Sequence, residues 1–172
     1  MRRLRAGERL AGAGAAALFV VLFVPWFDLG VRTRVVERAG RLLLPELHRS
    51  GWSALGWPVA ALLLIAMGAT VWLAVATMGD GLVAQAMAAT VAAAVAGTAA
   101  LVVLLVRVTL AQPGLGAGVP DALVSVRFAA YLGLLACAAM TAGAWWAMAD
   151  ERTSAPESAY TPPAPRPAPP QA

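Results

Sequence analysis

The sequence predicts an all-α fold: an integral membrane four-helix bundle with an amphipathic helix in its first loop and a disordered, proline-rich C-terminal tail. The first observation is composition, because 60% of the 172 residues are apolar and 13% are charged, against about 45–50% and about 25% in an ordinary soluble domain. The second is that the apolar residues gather in four long segments. Such segments need a bilayer as their solvent, so we expect one membrane domain over residues 1–151.

The first apolar segment, residues 10–27, follows a start that carries four arginines. This arrangement is typical of a secretory signal, but a cleaved signal has an apolar core of about 7–15 residues and ends in a small-x-small site. Here the segment is longer and ends in Pro25-Trp26-Phe27. We therefore expect it to be retained as the first transmembrane helix.

Three further segments, about 55–77, 82–106 and 128–148, each supply the roughly 20 residues that span about 30 Å of hydrocarbon. A segment in lipid must satisfy its own backbone hydrogen-bonding groups, so we expect helices there and no strand in the chain. The link over 78–81 is very short. The second and third helices are therefore expected to form an antiparallel hairpin.

Residues 31–44, between the first two spans, have apolar side chains on one arc at 100° per residue and arginines with Glu37 on the opposite arc. This pattern predicts an amphipathic helix at the membrane interface, ended by Pro45. Two interpretations remain open. A surface helix that closes the loop is favoured, and a dedicated lipid or partner site is the alternative.

The C-terminal tail, residues 152–172, is rich in Pro and Ala. Such a segment forms neither helix nor sheet, so we expect it to be extended and disordered. Pro162 and Pro165 have a PxxP spacing, but this spacing arises by chance in any proline-rich tract. A spacer is favoured over a docking peptide.

Tryptophans predict where the chain meets the two membrane surfaces, since indole rings favour the interface. Trp72 lies deeper in the second span and is expected to be a packing residue. The expected anchors are Trp26, Trp52 and Trp57 at one surface and Trp145 and Trp146 at the other.

Residues suited to catalysis or to metal binding are scarce. The single histidine, His48, stands in a polar loop, the single cysteine, Cys137, is expected to be a small packing residue, and the carboxylates are scattered. No ligand spacing for a metal is present, and we expect no catalytic residue and no cofactor. All thirteen basic residues are arginines outside the four apolar segments, without a basic patch interleaved with aromatics, so nucleic acid is not an expected partner.

The most informative polar residues are expected at one rim of the bundle. Asp28 closes the first helix, Arg107 ends the third, and Arg127 begins the fourth, with Asp121 between the last two. One interpretation is that the arginines reach the headgroups as isolated interfacial cations. The other is that one of them pairs with Asp28 or Asp121 and organises a face for a ligand or partner.

Four helices place both termini on one side of the membrane, and we expect that side to be cytoplasmic. The arginine counts on the two sides are similar, so the positive-inside rule decides little. Small residues four apart, which let helices approach closely, support a tight bundle. These pairs are Gly12 with Ala16, Ala93 with Gly97, and Ala139 with Gly143.

Short motifs give the chain a resemblance: Pro25-Trp26-Phe27, residues 51–54 (Gly-Trp-Ser-Ala), Arg107 with Pro113-Gly114, and Arg127 with Tyr131. The chain resembles a group of small four-helix membrane proteins of actinobacteria in which a Pro-Trp-aromatic motif closes the first transmembrane helix. The resemblance spans roughly residues 12–151. It implies cytoplasmic termini and a first loop outside the cell, and it transfers no catalytic or binding residue. The basic amphipathic first loop departs from the group.

The function expected from these observations is non-enzymatic. The four predicted spans contain no charged residue or histidine in their cores, whereas ion and proton pathways require such groups. We therefore expect a structural or accessory protein of the cell membrane, whose partners are the lipid bilayer and a second copy or an envelope protein. The alternative is a subunit of a small-solute transporter or pore.

Overall fold

The computed structural model describes residues 4–29, 49–78, 83–110 and 124–153. This part of the chain is predominantly helical, with three short strands at the helix junctions. The helices are α1 (Ala6–Val21), α2 (Gly51–Ala54), α3 (Gly56–Met78), α4 (Val83–Thr109) and α5 (Phe128–Thr153), and the strands are β1 (Pro25–Leu29), β2 (Arg49–Ser50) and β3 (Val124–Val126).

Three of the helices are long and apolar enough to cross a membrane. These segments are Gly56–Met78, Gln85–Thr109 and Phe128–Asp150, with mean hydropathies of 2.4, 2.4 and 1.5. A helix of 23 residues is about 35 Å long, which exceeds the hydrocarbon thickness of about 30 Å. The length and composition of these helices thus confirm the prediction of a helical protein that is compatible with several membrane crossings.

The first predicted helix has different bounds. It was expected over 10–27, but α1 begins at Ala6 and ends at Val21. Pro25 explains the early end, because proline disfavours the helical conformation of the residue before it and cannot donate to the helix ladder. The chain instead turns through Phe23 and Val24, whose amides bond to Val20 and Val21. With 16 residues, α1 is about 24 Å long, and a fourth spanning helix stays a prediction.

A three-stranded antiparallel sheet, in the order β2-β1-β3, joins the helix junctions. Phe27 pairs with Val126 on one side and with Arg49 on the other. The prediction that the chain contains no strand is therefore wrong for these three segments. Their backbone groups lie outside the helices, and pairing satisfies them where the segments meet. We call this sheet the cap sheet and its end of the bundle the cap end.

The helices pack in the order α1, α5, α4, α3, with a smaller contact between α1 and α3. The larger buried cluster lies beneath the cap sheet and includes Leu22, Trp26, Leu63 and Leu104. A smaller cluster, built mostly from alanines of α4 and α5, includes Leu73. The first helix is thus held chiefly by the last.

Several sequence predictions fall outside the described residues. They are the amphipathic helix over 31–44, residues 79–81 of the short link predicted over 78–81, Asp121, and the tail beyond Thr153. These remain predictions.

Candidate functional site at the cap end

Trp26 is the structural centre of the cap end. Its side chain is fully buried, and its indole Nε1 donates a 2.8 Å hydrogen bond to the carbonyl oxygen of Val21. A Cβ added at Gly133 would meet the Cζ2 and Cη2 atoms of the ring, and one added at Gly51 would lie 2.9 Å from Cε2. The expectation of an interfacial anchor is therefore wrong for Trp26, which instead packs between α1, α2 and α5.

Backbone hydrogen bonds fix the cap sheet to the helices. The amide of Arg127 donates to the carbonyl oxygen of Trp26 at 2.8 Å, and the amide of Trp52 donates to that of Leu22 at 3.4 Å. The first bond joins the strand after α1 to the residue before α5. As a result, the position of Arg127 is set by the buried Trp26.

The structure brings part of the predicted rim cluster together. Asp28 lies in β1 opposite Ser125 of β3, two residues before Arg127. Arg107 occupies the last turn of α4 and is half-buried, whereas Arg127 is exposed. The side chain of Asp28 and all of Asp121 lie outside the described part of the chain, so an ion pair with either stays a prediction.

Arg107 and Arg127 share the cap end. Val108, near the end of α4, belongs to the buried cluster beneath the cap sheet, and Val126, just before α5, packs against that cluster. Within the described ranges, Arg107 has no hydrogen-bond or ion-pair partner. The described carboxylate side chains are those of Glu8 and Asp150. Both residues lie at the opposite end of the bundle, where each is hydrogen-bonded to Arg5.

Large apolar side chains around the cap end are strongly exposed. Trp57 is 82% exposed, Leu110 81% and Phe128 74%. Surfaces of this kind are unfavourable in water and match the boundary between hydrocarbon and headgroups. The expected place of Trp57 as an interfacial anchor stays a prediction.

Towards the other end of the bundle, Trp145 and Trp146 are each about half exposed, and their interfacial anchoring stays a prediction. Trp72 is 47% exposed and is not among the buried residues of α3, which include Leu73. Its role as a packing residue stays a prediction.

An aromatic cluster lies beside the cap sheet. Phe19, Phe23 and Trp52 meet edge to face, with ring centroids 5.3–6.1 Å apart. The indole nitrogen of Trp52 is buried and has no hydrogen-bond partner among the described residues. Both phenyl rings are substantially exposed, so the cluster forms part of the apolar surface.

The buried hydroxyl groups in the bundle bond to their own helices. Thr70, Thr90 and Thr141 donate to the carbonyl oxygens four residues earlier, at 2.9, 2.7 and 2.9 Å. Thr98 does the same at 2.7 Å, and it also accepts a 3.0 Å hydrogen bond from the indole of Trp145. That link between α4 and α5 was not predicted, because no local pattern connects two residues so far apart in sequence.

The crossing of α1 and α5 brings the two backbones into contact. A Cβ added at Gly7 would lie 2.6 Å from the amide nitrogen of Ala147, and one added at Gly143 would meet the backbone of Ala11. Of the predicted small residues, Gly143 therefore serves this packing, and Gly97 lies against Thr141. Gly12 does not contribute to the close crossing, since nothing lies within 4 Å of a Cβ added there.

Polar contacts join the start of α1 to the end of α5. Glu8, which is only 8% exposed, accepts a 2.9 Å hydrogen bond from the amide of Arg5 through Oε2. The Nη1 atom of Arg5 donates to the carbonyl oxygen of Asp150 at 3.4 Å. Glu8 thus caps the start of the helix. Its position three residues after Arg5 is the one from which a glutamate bonds back to the N-cap amide.

No group of three or more His, Cys, Asp or Glu side chains suited to a metal is found among the described residues. The candidate site is therefore the cationic rim of Arg107 and Arg127, with its apolar border. Comparison of the chain with protein-family models, with curated proteins and with solved structures finds no match in any of the three.

Proposed function

We propose that this chain is a four-span protein of the cell membrane with cytoplasmic termini, which acts as a non-enzymatic structural or accessory component. Its association would be with a second copy or with an envelope protein. The resemblance to the actinobacterial group agrees with this proposal.

The observation that carries the proposal is the character of the packed interior. The buried side chains of the described helices are almost entirely apolar, and the buried threonine hydroxyl groups already donate within their own helices. A conducting or catalytic centre needs polar groups that face a solute. The exposed apolar surface, in contrast, faces outward. The chain can therefore associate with another protein through this surface or through the rim.

A fourth span is supported by the contacts at both ends of the first segment. Arg5 contacts Asp150 at one end of the candidate span Phe128–Asp150, and Trp26 bonds to Arg127 at the other. Residues 5–27 therefore accompany α5 over about 35 Å, although only 16 of them are helical in α1. Non-helical backbone is tolerated at membrane depth where protein surrounds it, as it surrounds Trp26.

Photo-crosslinking in native membranes tests the accessory function. A photoreactive amino acid replaces Trp57 or Trp146, which are exposed at opposite ends, and replaces the fully buried Leu63 as a matched control. We expect a discrete adduct to one protein, or to a second copy, from an exposed position and none from position 63. Absence of adducts from both exposed positions, together with solute flux through the purified protein in liposomes, would favour the transporter or pore subunit instead.

The orientation is tested separately by fusing reporters to the C-terminus. A cytoplasm-active reporter is expected to work, and a periplasm-active reporter is expected to stay inactive. Activity of the second reporter alone would reverse the proposed orientation.

A further inference from the structure

We propose that two copies of this chain associate side by side in the membrane through the outward face of α3, with Trp72 of each copy packed over Gly68 of the other. This inference rests on the membrane placement in the proposed function, and it chooses the second copy as the partner. Association with a different envelope protein becomes an outcome of the test.

The outward face of α3 is an unbroken apolar stripe. Helix α3 lies at the end of the packing order and has α4 as its main neighbour. Its buried residues include Leu63 and Thr70, and Gly68 lies about 140–160° round the helix from both. A seven-residue repeat on one side keeps a line of residues facing a second helix over its whole length. The exposed residues of α3 show this repeat in two alternating series, Trp57, Leu64, Val71 and Met78, with Gly68 and Val75 between them.

Gly68 forms a notch in this stripe that the fold of a single chain does not require. Nothing lies within 4 Å of a Cβ added there, whereas Gly14, Gly97 and Gly143, also inside long helices, lie against a neighbouring helix. Glycine inside a helix is less stable than alanine, and membrane helices use it where two of them approach closely. The described helices of one chain make no such approach at Gly68, so the approaching helix belongs to another molecule.

Trp72 supplies the side chain that fits the notch. It follows Gly68 by four residues, so the two are neighbours on the helix surface, and its side chain is 47% exposed. Helical side chains lean towards the N-terminus and cover the turn before their own Cα, which brings the indole to the level of Gly68. Two copies in the same orientation present this level at equal depth, so each indole meets the bare backbone of the other copy. Gly12 also has open space around it, but the residue four positions later is alanine.

The charge and the extent of α3 suit a contact between identical faces. Residues 56–78 contain no charged side chain, so a second copy in the same orientation brings no like charges together. In contrast, α4 carries Arg107 and α5 carries Asp150. The large side chains exposed on α3 extend from Trp57 to Met78. Complete cover would bury on the order of 800 Å² per copy, which is the share of one partner in a standard interface.

The first test places a single cysteine on the stripe, V71C in a C137A background, in the full chain in native membranes. All copies share one orientation there, so an oxidant should join two copies and give a disulfide-linked dimer on a denaturing gel. V91C in the same background is the matched control, because Val91 is also an exposed valine and lies on α4 at a similar distance from the same end of the bundle. We expect V91C to stay monomeric. Equal crosslinking from both positions, or none from position 71, would overturn the proposal.

The second test fills the notch. Gly68→Leu adds a side chain where a single chain has open space, so the monomer should keep its stability while the partner's Trp72 is excluded. Energy transfer between labelled copies in liposomes, measured at increasing dilution with lipid, gives the dimer dissociation constant. We expect Gly68→Leu to raise this constant about tenfold or more, the size expected of overpacking, and Trp72→Ala to raise it as well. Ala99→Leu, at an exposed position of α4, is the control and should leave it unchanged.

The outcomes separate this proposal from the proposed function. An unchanged dissociation constant in Gly68→Leu, or a wild-type chain that is monomeric at every dilution, would overturn the dimer. A crosslink from position 71 to a different protein would overturn it too, while agreeing with an accessory function. Release of the protein by alkaline extraction would contradict the membrane placement and hence the proposed function itself.

Discussion

The indole of Trp26 donates to the carbonyl oxygen of Val21, the last residue of α1. Carbonyl groups at a helix end have no partner within the helix, and an unpaired indole nitrogen in a dry core is equally unfavourable. The Val21 oxygen also accepts from the amide of Val24, so the indole is its second donor and gains its own partner in the buried site. The Pro-Trp-aromatic motif therefore ends the helix at its proline and caps it with the tryptophan that follows.

Trp26→Ala is expected to lower the free energy of unfolding by about 3–5 kcal/mol, because it empties a fully buried aromatic site. Denaturation in mixed detergent micelles measures the change. Trp57→Ala is the matched control, since Trp57 is 82% exposed, and it should cost less than about 1 kcal/mol. Equal effects of the two substitutions would contradict the buried position of Trp26.

Gly143→Ala should destabilise the bundle, because the new methyl group meets the backbone of Ala11 and Gly7. Overpacking of this kind typically costs about 1–3 kcal/mol. Gly12→Ala adds the same group to α1 where nothing lies within 4 Å, and it should be neutral or slightly stabilising, given the better helix propensity of alanine. Thermal denaturation in detergent distinguishes them, and a neutral Gly143→Ala would argue against the close crossing of α1 and α5.

Trp145→Phe is expected to remove the hydrogen bond to Thr98 while keeping an aromatic ring. Polar contacts between membrane helices contribute about 0.6 kcal/mol on average and at most about 1.7. A double-mutant cycle with Thr98→Ala should yield a coupling energy in this range. Trp146→Phe with Thr98→Ala is the control cycle, and a coupling there as large as in the Trp145 cycle would count against the specific contact.

Cysteines that replace Arg5 and Asp150 should be joined efficiently by a short crosslinker in a C137A background, because Arg5 reaches the carbonyl oxygen of Asp150. Cysteines at Arg5 and Arg127 are the control pair, since these residues lie at opposite ends of α5. Mobility on denaturing gels reports the crosslink. Crosslinking of the control pair alone would mean that the first segment runs in the opposite direction.

The long helices could be predicted because a continuous apolar run of sufficient length is a local property of the sequence. The predicted spans 55–77 and 128–148 match α3 and α5 with small shifts at their ends. The cap sheet was not accessible, since β1 pairs with residues almost a hundred positions later. Nothing in the local sequence separates buried Trp26 from exposed Trp57, because the difference depends on distant Gly133.

The cationic rim could likewise be predicted from sequence only in part. Helix ends placed Arg107 and Arg127 near one surface of the bundle from sequence alone, and the structure keeps both at the cap end. The apolar border of the rim required exposure values that no local pattern supplies. The expected pairing with Asp28 or Asp121 depends on side chains outside the described residues and stays a prediction.

The pairing of α1 with α5 has a consequence for how the chain is made. The α1 face that carries Gly7 and Gly14 fits against backbone around Met140 and Ala147, which the ribosome adds more than 120 residues later. Until then the first helix has little to hold it, because its contact with α3 is small. Completion of the bundle therefore awaits the synthesis of α5, and a product truncated before α5 would leave the first helix unpartnered.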